Sequence, residues 1–376
     1  MAIRETERYL PGTLGAADLG EATTASGTGG LFALVSYLTS PVRTGTLLDY
    51  VLFVTGTDAV DECDWVVTNS AGSIAHTVTT TYGTFAWSAP VADTYEVSVT
   101  PRGASTMPTL KLTQQAKDID PGLESNADAH AFVYDDSLRE LASDLKPYIA
   151  KAASDTGPNG IPERLLASVL AIEILMRPKG GSSTAPPRLR HVRDAEIARV
   201  AEFIDEYYYW TQTEPLVAEA FFLLPGYREK FARASLGVGQ VALATAAMSE
   251  GKFAWRDADK ADREFTRQAI ADDFNDKVSY RAKIDIFNLL RFPKTNVAVA
   301  ARLLANLKNR LHRYPTIKAA DLAKSPRPVG IIATEYHLGG TTTDSAIATI
   351  EPWYGHEVMD VLILDGAPLF PELYFT

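Results

Sequence analysis

The chain has 376 residues, 46% of them hydrophobic, and carries 36 Lys plus Arg against 47 Asp plus Glu for a formal net charge of -11. That size holds two or three domains, and the acidic balance excludes nucleic-acid binding through a broad basic face. Cys63 is the single cysteine, which excludes an internal disulfide, and no run of 18 apolar residues offers a membrane span.

Taken in chain order, the start "MAIRETERYLPGTLGAADLG" has no basic segment followed by an apolar run, so synthesis in the cytoplasm without a secretory signal is expected. Residues 1–29, rich in Gly, Ala and Thr, read as an extended N-terminal arm. Residues 30–116 change to Thr, Val, Ser, Gly and Tyr, with short alternating runs such as "LDYVLFVTG", "CDWVVTNSAG", "TFAWSAP" and "DTYEVSVTP". Gly, Pro, Asp or Asn bounds each run. Alternation turns one side of each strand inward, so this segment predicts a small all-β sandwich with Trp65, Val67, Tyr95, Val97 and Val99 in its core. The pattern resembles the immunoglobulin-like and PKD-like modules appended to cell-surface and carbohydrate-active proteins, which implies a docking or spacer role toward a protein partner, or a sugar-binding one.

Residues 117–130, "KDIDPGLESNADAH" with its Asp, Gly, Ser and Asn, read as a linker. From residue 131 to 376 the composition turns helical and predicts a mainly α domain. "DDSLRELASDLKPYIAKAAS" places Leu138, Leu141 and Leu145 at helical spacing. "IPERLLASVLAIEILMRP" starts at a Pro and stops at Pro178, the usual punctuation of a helix. Further helices are expected in "RDAEIARVAEFIDEYYYW", "VALATAAMSEG", "DADKADREFTRQAIADDF" and "NVAVAARLLANLKNRLHRY".

Two features of the helical half bear on chemistry. Glu173 sits in the apolar run "LLASVLAIEILMR", where loss of solvation favours the protonated carboxyl, as a proton donor requires. The alternatives are a Glu on the polar edge of its helix, or one paired with Arg177 a turn later. The second feature is "RASLGVGQVALATAAMSEG": Gly237 and Gly239 flank Val238, and Gln240 leads into an Ala-rich helix. Glycines at such a junction admit backbone angles closed to other residues and permit close approach.

Glu173, then "SLGVGQV", then "NVAVAARLLANLKNRL" followed by "IIATEYHLGGT", together resemble the lytic transglycosylase and goose-type lysozyme family over roughly residues 160–345. Glu173 matches that family's catalytic Glu, and Gly237, Gly239 and Gln240 match its Gly-rich turn. Asn296 and Val297 match the start of a later helix, and Ala333, Tyr336, His337 and Gly339 match the last motif. Ile174 stands where the family has Ser, and His337 where it has Asn. Residues 178–234 form an insertion whose Asp194, Asp205 and Glu206, and Tyr207, Tyr208, Tyr209 and Trp210, are candidates to line or cover a cleft.

The resemblance implies a lysozyme-like fold, a peptidoglycan glycan strand as partner, and Gly237, Gly239, Gln240, Tyr336 and His337 as substrate-binding residues. It implies no cofactor. Delivery to the wall would come from lysis, a phage particle or a contractile injection apparatus. The alternative is a non-catalytic structural or adaptor protein of such a particle that keeps the fold. The residues themselves signal no metal: the six histidines are scattered, with no H-E-x-x-H pair. There is also no G-x-S-x-G elbow, phosphate loop or dinucleotide fingerprint.

Overall fold

The structure, a computed structural model, describes residues 10, 14–28, 30–36, 40–44, 47–56, 60–81, 83–103, 106–118, 136–175, 232–254, 267–310, 316–322, 324 and 326–338. Strands fill the N-terminal part and helices the C-terminal part. Contacts divide the chain into two units, and the helix Tyr280–Arg291 groups with the strands.

The first unit opens with a short helix, α1 (Ala16–Leu19), and nine strands follow among the described residues: β1 (Glu21–Ser26), β2 (Gly30–Ser36), β3 (Val42–Arg43), β4 (Leu47–Gly56), β5 (Val60–Thr68), β6 (Ile74–Thr80), β7 (Thr84–Ser88), β8 (Asp93–Gly103) and β9 (Leu110–Lys117). They form a four-stranded sheet in the order β1-β2-β4-β7 and a five-stranded sheet in the order β3-β9-β8-β5-β6. The pairs are antiparallel except β3 with β9.

Alternation sets the faces. On β9, Leu110, Leu112, Gln114 and Ala116 are buried while Lys111, Thr113, Gln115 and Lys117 are exposed. The register sets Trp65 opposite Val99 and Val97 opposite Leu112, so those apolar groups share one side of the five-stranded sheet. Phe85 and Trp87 on β7 meet that side. The Trp65 and Phe85 rings stack at 5.3 Å, and Trp87 meets Tyr95 edge-on at 4.8 Å. The Trp65 indole N–H reaches Thr80 Oγ1 at 2.9 Å, so this buried ring leaves no polar atom unsatisfied.

The segment expected as an arm is corrected. Glu21–Ser26 is β1, paired antiparallel with β2 from Glu21 opposite Ser36 to Ser26 opposite Leu31. "EATTAS" carries only small and β-branched residues, so it pairs as an edge strand without showing an apolar alternation.

The runs on β2 and β4 also depart from simple alternation. Tyr50, Leu52 and Val54 face the other sheet with Phe85, yet Val51 and Phe53, on the opposite face, are buried as well. Phe292 covers that second face, its ring 5.9 Å from Phe53. Phe292 ends the helix segment that the sequence assigned to a single helical domain over 131–376, and the apolar face of β4 is the physical reason it groups with the strands instead. Arg281 Nη2 donates to the Leu10 carbonyl at 2.9 Å and Lys294 Nζ to the Ala17 carbonyl at 2.7 Å, fixing both ends of the segment to the N-terminal chain.

The second unit contains the helices α2 (Asp136–Asp155), α3 (Glu163–Leu175), α4 (Leu243–Ser249) and α5 (Arg267–Lys277). With α6 as Tyr280–Arg291 of the first unit, α7 (Pro293–Arg310) runs on from Asn296 in the second, followed by α8 (Ala319–Leu322) and α9 (Pro326–Leu338). Helix α3 is apolar all round, and Leu165 to Ile172 are buried without a break, which makes it a central helix. Pro162 supplies its first carbonyl acceptor, to Leu165 N at 3.1 Å. Lys308, buried on α7, donates to the Asn159 carbonyl at 2.5 Å, satisfying the loop before α3.

Candidate functional site

By sequence, "SLGVGQVA" reads as a Gly-rich turn running straight into a helix. It forms a hairpin instead: β10 (Ser235–Leu236) pairs antiparallel with β11 (Val241–Ala242), and α4 begins only at Leu243. Gly237 through Gln240 make the tip. Gly237 has φ +69° and Gln240 has φ +48°, so the four-residue turn uses the left-handed region at both ends. Gly237 fits that region without strain, whereas Gln240 occupies it against the preference of a side-chain-bearing residue.

Side chains from two distant helices hold the tip. Asn296, wholly buried on α7, donates through Nδ2 to the Leu236 carbonyl at 2.9 Å and accepts from Gly239 N at 2.8 Å. Tyr336 on α9 donates its hydroxyl to the Gly239 carbonyl at 2.5 Å. Both peptide groups of Gly239 are thereby satisfied from outside the hairpin. A Cβ at position 239 would lie 2.9 Å from the Tyr336 hydroxyl, 3.0 Å from Asn296 Oδ1 and 3.1 Å from the Ala300 Cβ. Gly239 is therefore glycine for closeness, and Gly237 for backbone conformation.

Gln240 turns its amide back on the hairpin. Its Nε2 donates to the Gly237 carbonyl at 2.5 Å, alongside the backbone bond from Gln240 N at 3.2 Å. That acceptor fixes the amide orientation, since the reverse would set two oxygens against each other. Gln240 Oε1 is then a buried acceptor with no protein partner. The residue is 9% exposed and lines a pocket of about 120 Å³, together with Arg233, Ser235, Thr245, Tyr336 and His337. Ile270 and Leu303 add apolar wall.

Glu173, half-buried two residues before the end of α3, is not among the residues lining that pocket. Its charge nevertheless reaches Tyr336. Burial first, and the Glu173 carboxylate second, push the Tyr336 hydroxyl well above the ordinary phenol range. Tyr336 therefore stays protonated and remains a donor to Gly239 throughout the neutral range.

The structure thus brings Gln240, Tyr336 and His337 to one pocket, sets Gly237 and Gly239 in the turn behind it, and puts Glu173 within electrostatic reach of Tyr336. Arg177, Gly339, Asp194, Asp205, Glu206 and the aromatic run Tyr207–Trp210 lie outside the described residues.

Three further residues were not read as site residues from the sequence. Asn296 stood only as a helix start, and its amide is the pin of the hairpin. Arg233 and Thr245 flank the quoted turn, where nothing in their spacing marked them as pocket walls. Among the described residues no helix is long and apolar enough to cross a membrane, and no group of three or more His, Cys, Asp or Glu could hold a metal ion. The chain matches no family model, no curated protein and no solved structure.

Proposed function

We propose that the chain is a glycosidase that cleaves peptidoglycan between N-acetylmuramic acid and N-acetylglucosamine, through Glu173 as its single catalytic acid. One observation supports this reading: the Gly-rich turn at 237–240 is held by hydrogen bonds of 2.5–2.9 Å to Asn296 and Tyr336, both in segments the resemblance singled out, and the Glu173 charge acts on Tyr336. Glu173 protonates the glycosidic oxygen. It then takes a proton either from the muramyl 6-hydroxyl, closing a 1,6-anhydro ring, or from an attacking water. Tyr336 and Asn296 keep the turn, and with it Gln240, in place.

In this reading the helical unit is lysozyme-like and the two-sheet unit is an immunoglobulin-like docking module that binds a protein partner. A phage particle, a contractile injection apparatus or cell lysis brings the chain to the wall. The test is a turbidity assay and zymogram on purified peptidoglycan with the full chain. Wild type lyses it, and the near-isosteric Glu173→Gln loses about 10²–10⁴-fold in rate with its fold intact.

A second reading has its own observation. Glu173 does not line the pocket beside Gln240, and Ile174 removes the hydroxyl expected next to the acid. These favour a structural or adaptor protein of such a particle that keeps the architecture without cleavage. Absence of lysis by well-folded wild type would decide for it.

A further inference from the structure

We propose that β6, the outer strand of the five-stranded sheet, pairs antiparallel with β6 of a second copy of this chain, about a twofold axis at Val78. The proposal stands on the strands alone and does not depend on the glycan reading above.

Among the described residues β6 ends its sheet, with β5 on one side of it. A strand in that place presents a row of backbone N–H and C=O groups with no strand opposite, and proteins ordinarily protect it by charge, Pro, shortness or a bulge. The other sheet edges follow that rule. β3 has two residues, one of them Arg43, β1 carries Glu21, and β7 has five residues. β6, "IAHTVTT", has seven residues with neither charge nor Pro. Ile74 to Thr77 are exposed, Ile74 at 68%. The one irregularity lies at its start, where the register with β5 shifts between Val67 and Thr68, and His76–Thr80 pair regularly with β5.

Which partner the edge takes follows from that regular stretch. An antiparallel copy centred on Val78 sets Val78 opposite Val78, Thr77 opposite Thr79 and His76 opposite Thr80. Each pair joins residues of the same face, because strand positions two or four apart share a face. The two Val78 side chains meet beside the core, where Val78 stands opposite the buried Trp65 of β5. Two Thr77–Thr79 pairs form on the other face, a combination that stabilises antiparallel strands. No charge meets a like charge. The carboxylate nearest the edge, Asp64, accepts from Thr79 Oγ1 at 2.7 Å and from Arg102 Nε at 2.5 Å, so it is matched within its own copy. In a chain of net charge -11 an acidic edge would repel its copy, and this uncharged one does not. Both copies use the same strand, so the contact closes at two and does not propagate.

Sedimentation of the full chain from low to high micromolar concentration shows monomer passing to dimer and no larger species. The association tightens as salt is added, because the contact holds no ion pair to screen and the two acidic chains repel less. Thr77→Lys with Thr79→Lys sets like charges opposite each other across the axis and weakens association at least about tenfold. The same charges on the exposed side of β9, Thr113→Lys with Gln115→Lys, do not weaken it. Cross-linking reads the register. A Thr77→Cys chain mixed with a Thr79→Cys chain gives a disulfide-linked dimer on mild oxidation, since opposed strand positions lie within disulfide reach, and either chain alone links far more slowly. A chain that stays monomeric at every concentration overturns the proposal and leaves the edge to a strand of another protein. Association that survives Thr77→Lys with Thr79→Lys, falls equally in the β9 control or weakens with salt overturns it too, as does a mixture that links no faster than its components. Should the double Lys variant lose its near-ultraviolet circular dichroism, and so its fold, the cross-linking pair decides alone.

Discussion

Replacing Gly239 by Ala tests whether the hairpin is held by closeness. The added Cβ meets the Tyr336 hydroxyl at 2.9 Å and Asn296 Oδ1 at 3.0 Å, closer than carbon ordinarily approaches oxygen, with the Ala300 Cβ at 3.1 Å on a third side. Both oxygens are hydrogen-bonded to Gly239 itself, so the relaxation that relieves the clash breaks the bonds that hold the turn. Each bond is worth about 1 kcal/mol net, and each buried group left unsatisfied costs about 1–3 kcal/mol. Against this stands a gain of about 0.4–1 kcal/mol from restricting the unfolded chain. The balance is about 2–4 kcal/mol of local destabilisation. Hydrogen exchange read by mass spectrometry on peptides covering 235–245 registers it as roughly 30-fold to 10³-fold faster exchange, with β5 and β8 unchanged as internal controls. Adding Tyr336→Phe removes the 2.9 Å contact, so the double variant falls short of the sum of its parts by about 1 kcal/mol. Exchange within threefold of wild type in Gly239→Ala, or strict additivity in the cycle, would refute the close-approach argument. Gly237→Ala meets the left-handed φ of +69° and costs about 1–2 kcal/mol in the same exchange measurement.

Three further outcomes follow from the same geometry. The folded-state pKa of Tyr336 is raised above its unfolded value, so its stabilising contribution is complete below about pH 10 and is lost as pH rises past that value toward the folded one; urea midpoints between about pH 8 and 11 fall less steeply in Tyr336→Phe than in wild type. Asn296→Leu strips the Leu236 carbonyl and Gly239 N of their shared partner and costs about 3 kcal/mol by urea unfolding, whereas Asn296→Gln, with the same groups at a longer reach, recovers part of it. Phe292→Ala uncovers Phe53 and costs about 3–5 kcal/mol, and the loss registers in exchange of β4 peptides as well as in α6.

How much of this was legible in the sequence differs by element, and for physical reasons. β8 and β9 were plain, because one face of each is buried and the other wet, so period-two alternation survives in "TYEVSV" and "LKLTQQ". "YVLFV" on β4 carried more than was read from it. An unbroken apolar run in a strand means that both faces are covered, and the second cover, Phe292, arrives some 240 residues later in the chain, where no local pattern announces it. β1 gave no apolar signal because an edge strand of small residues needs none. At the candidate site, the glycines marked the turn correctly, but the helix signal of "VALATAAM" concealed the two-residue strands at either side of it. Asn296 stood in the sequence only as the start of a helix, and only the fold brings its amide to a peptide 57 residues away.

Gln240 is the place where local preference and structure disagree most, and the disagreement is informative. At φ +48° a Gly or Asn would sit with less strain, and the neighbouring Gly237, at φ +69°, obeys that rule. Strain of this kind persists only where surrounding contacts overdetermine it. Here they do: the side-chain amide closes on the Gly237 carbonyl, the Gly239 carbonyl is held by Tyr336, and Asn296 locks the strand before and the peptide within. Asn at 240 would relieve the backbone, but its side chain, one methylene shorter, would not make the same amide bond to the Gly237 carbonyl. The left-handed Gln240 is thus held by its own amide on the Gly237 carbonyl, and the helices α7 and α9 supply the Asn296 and Tyr336 bonds that keep the tip in that conformation.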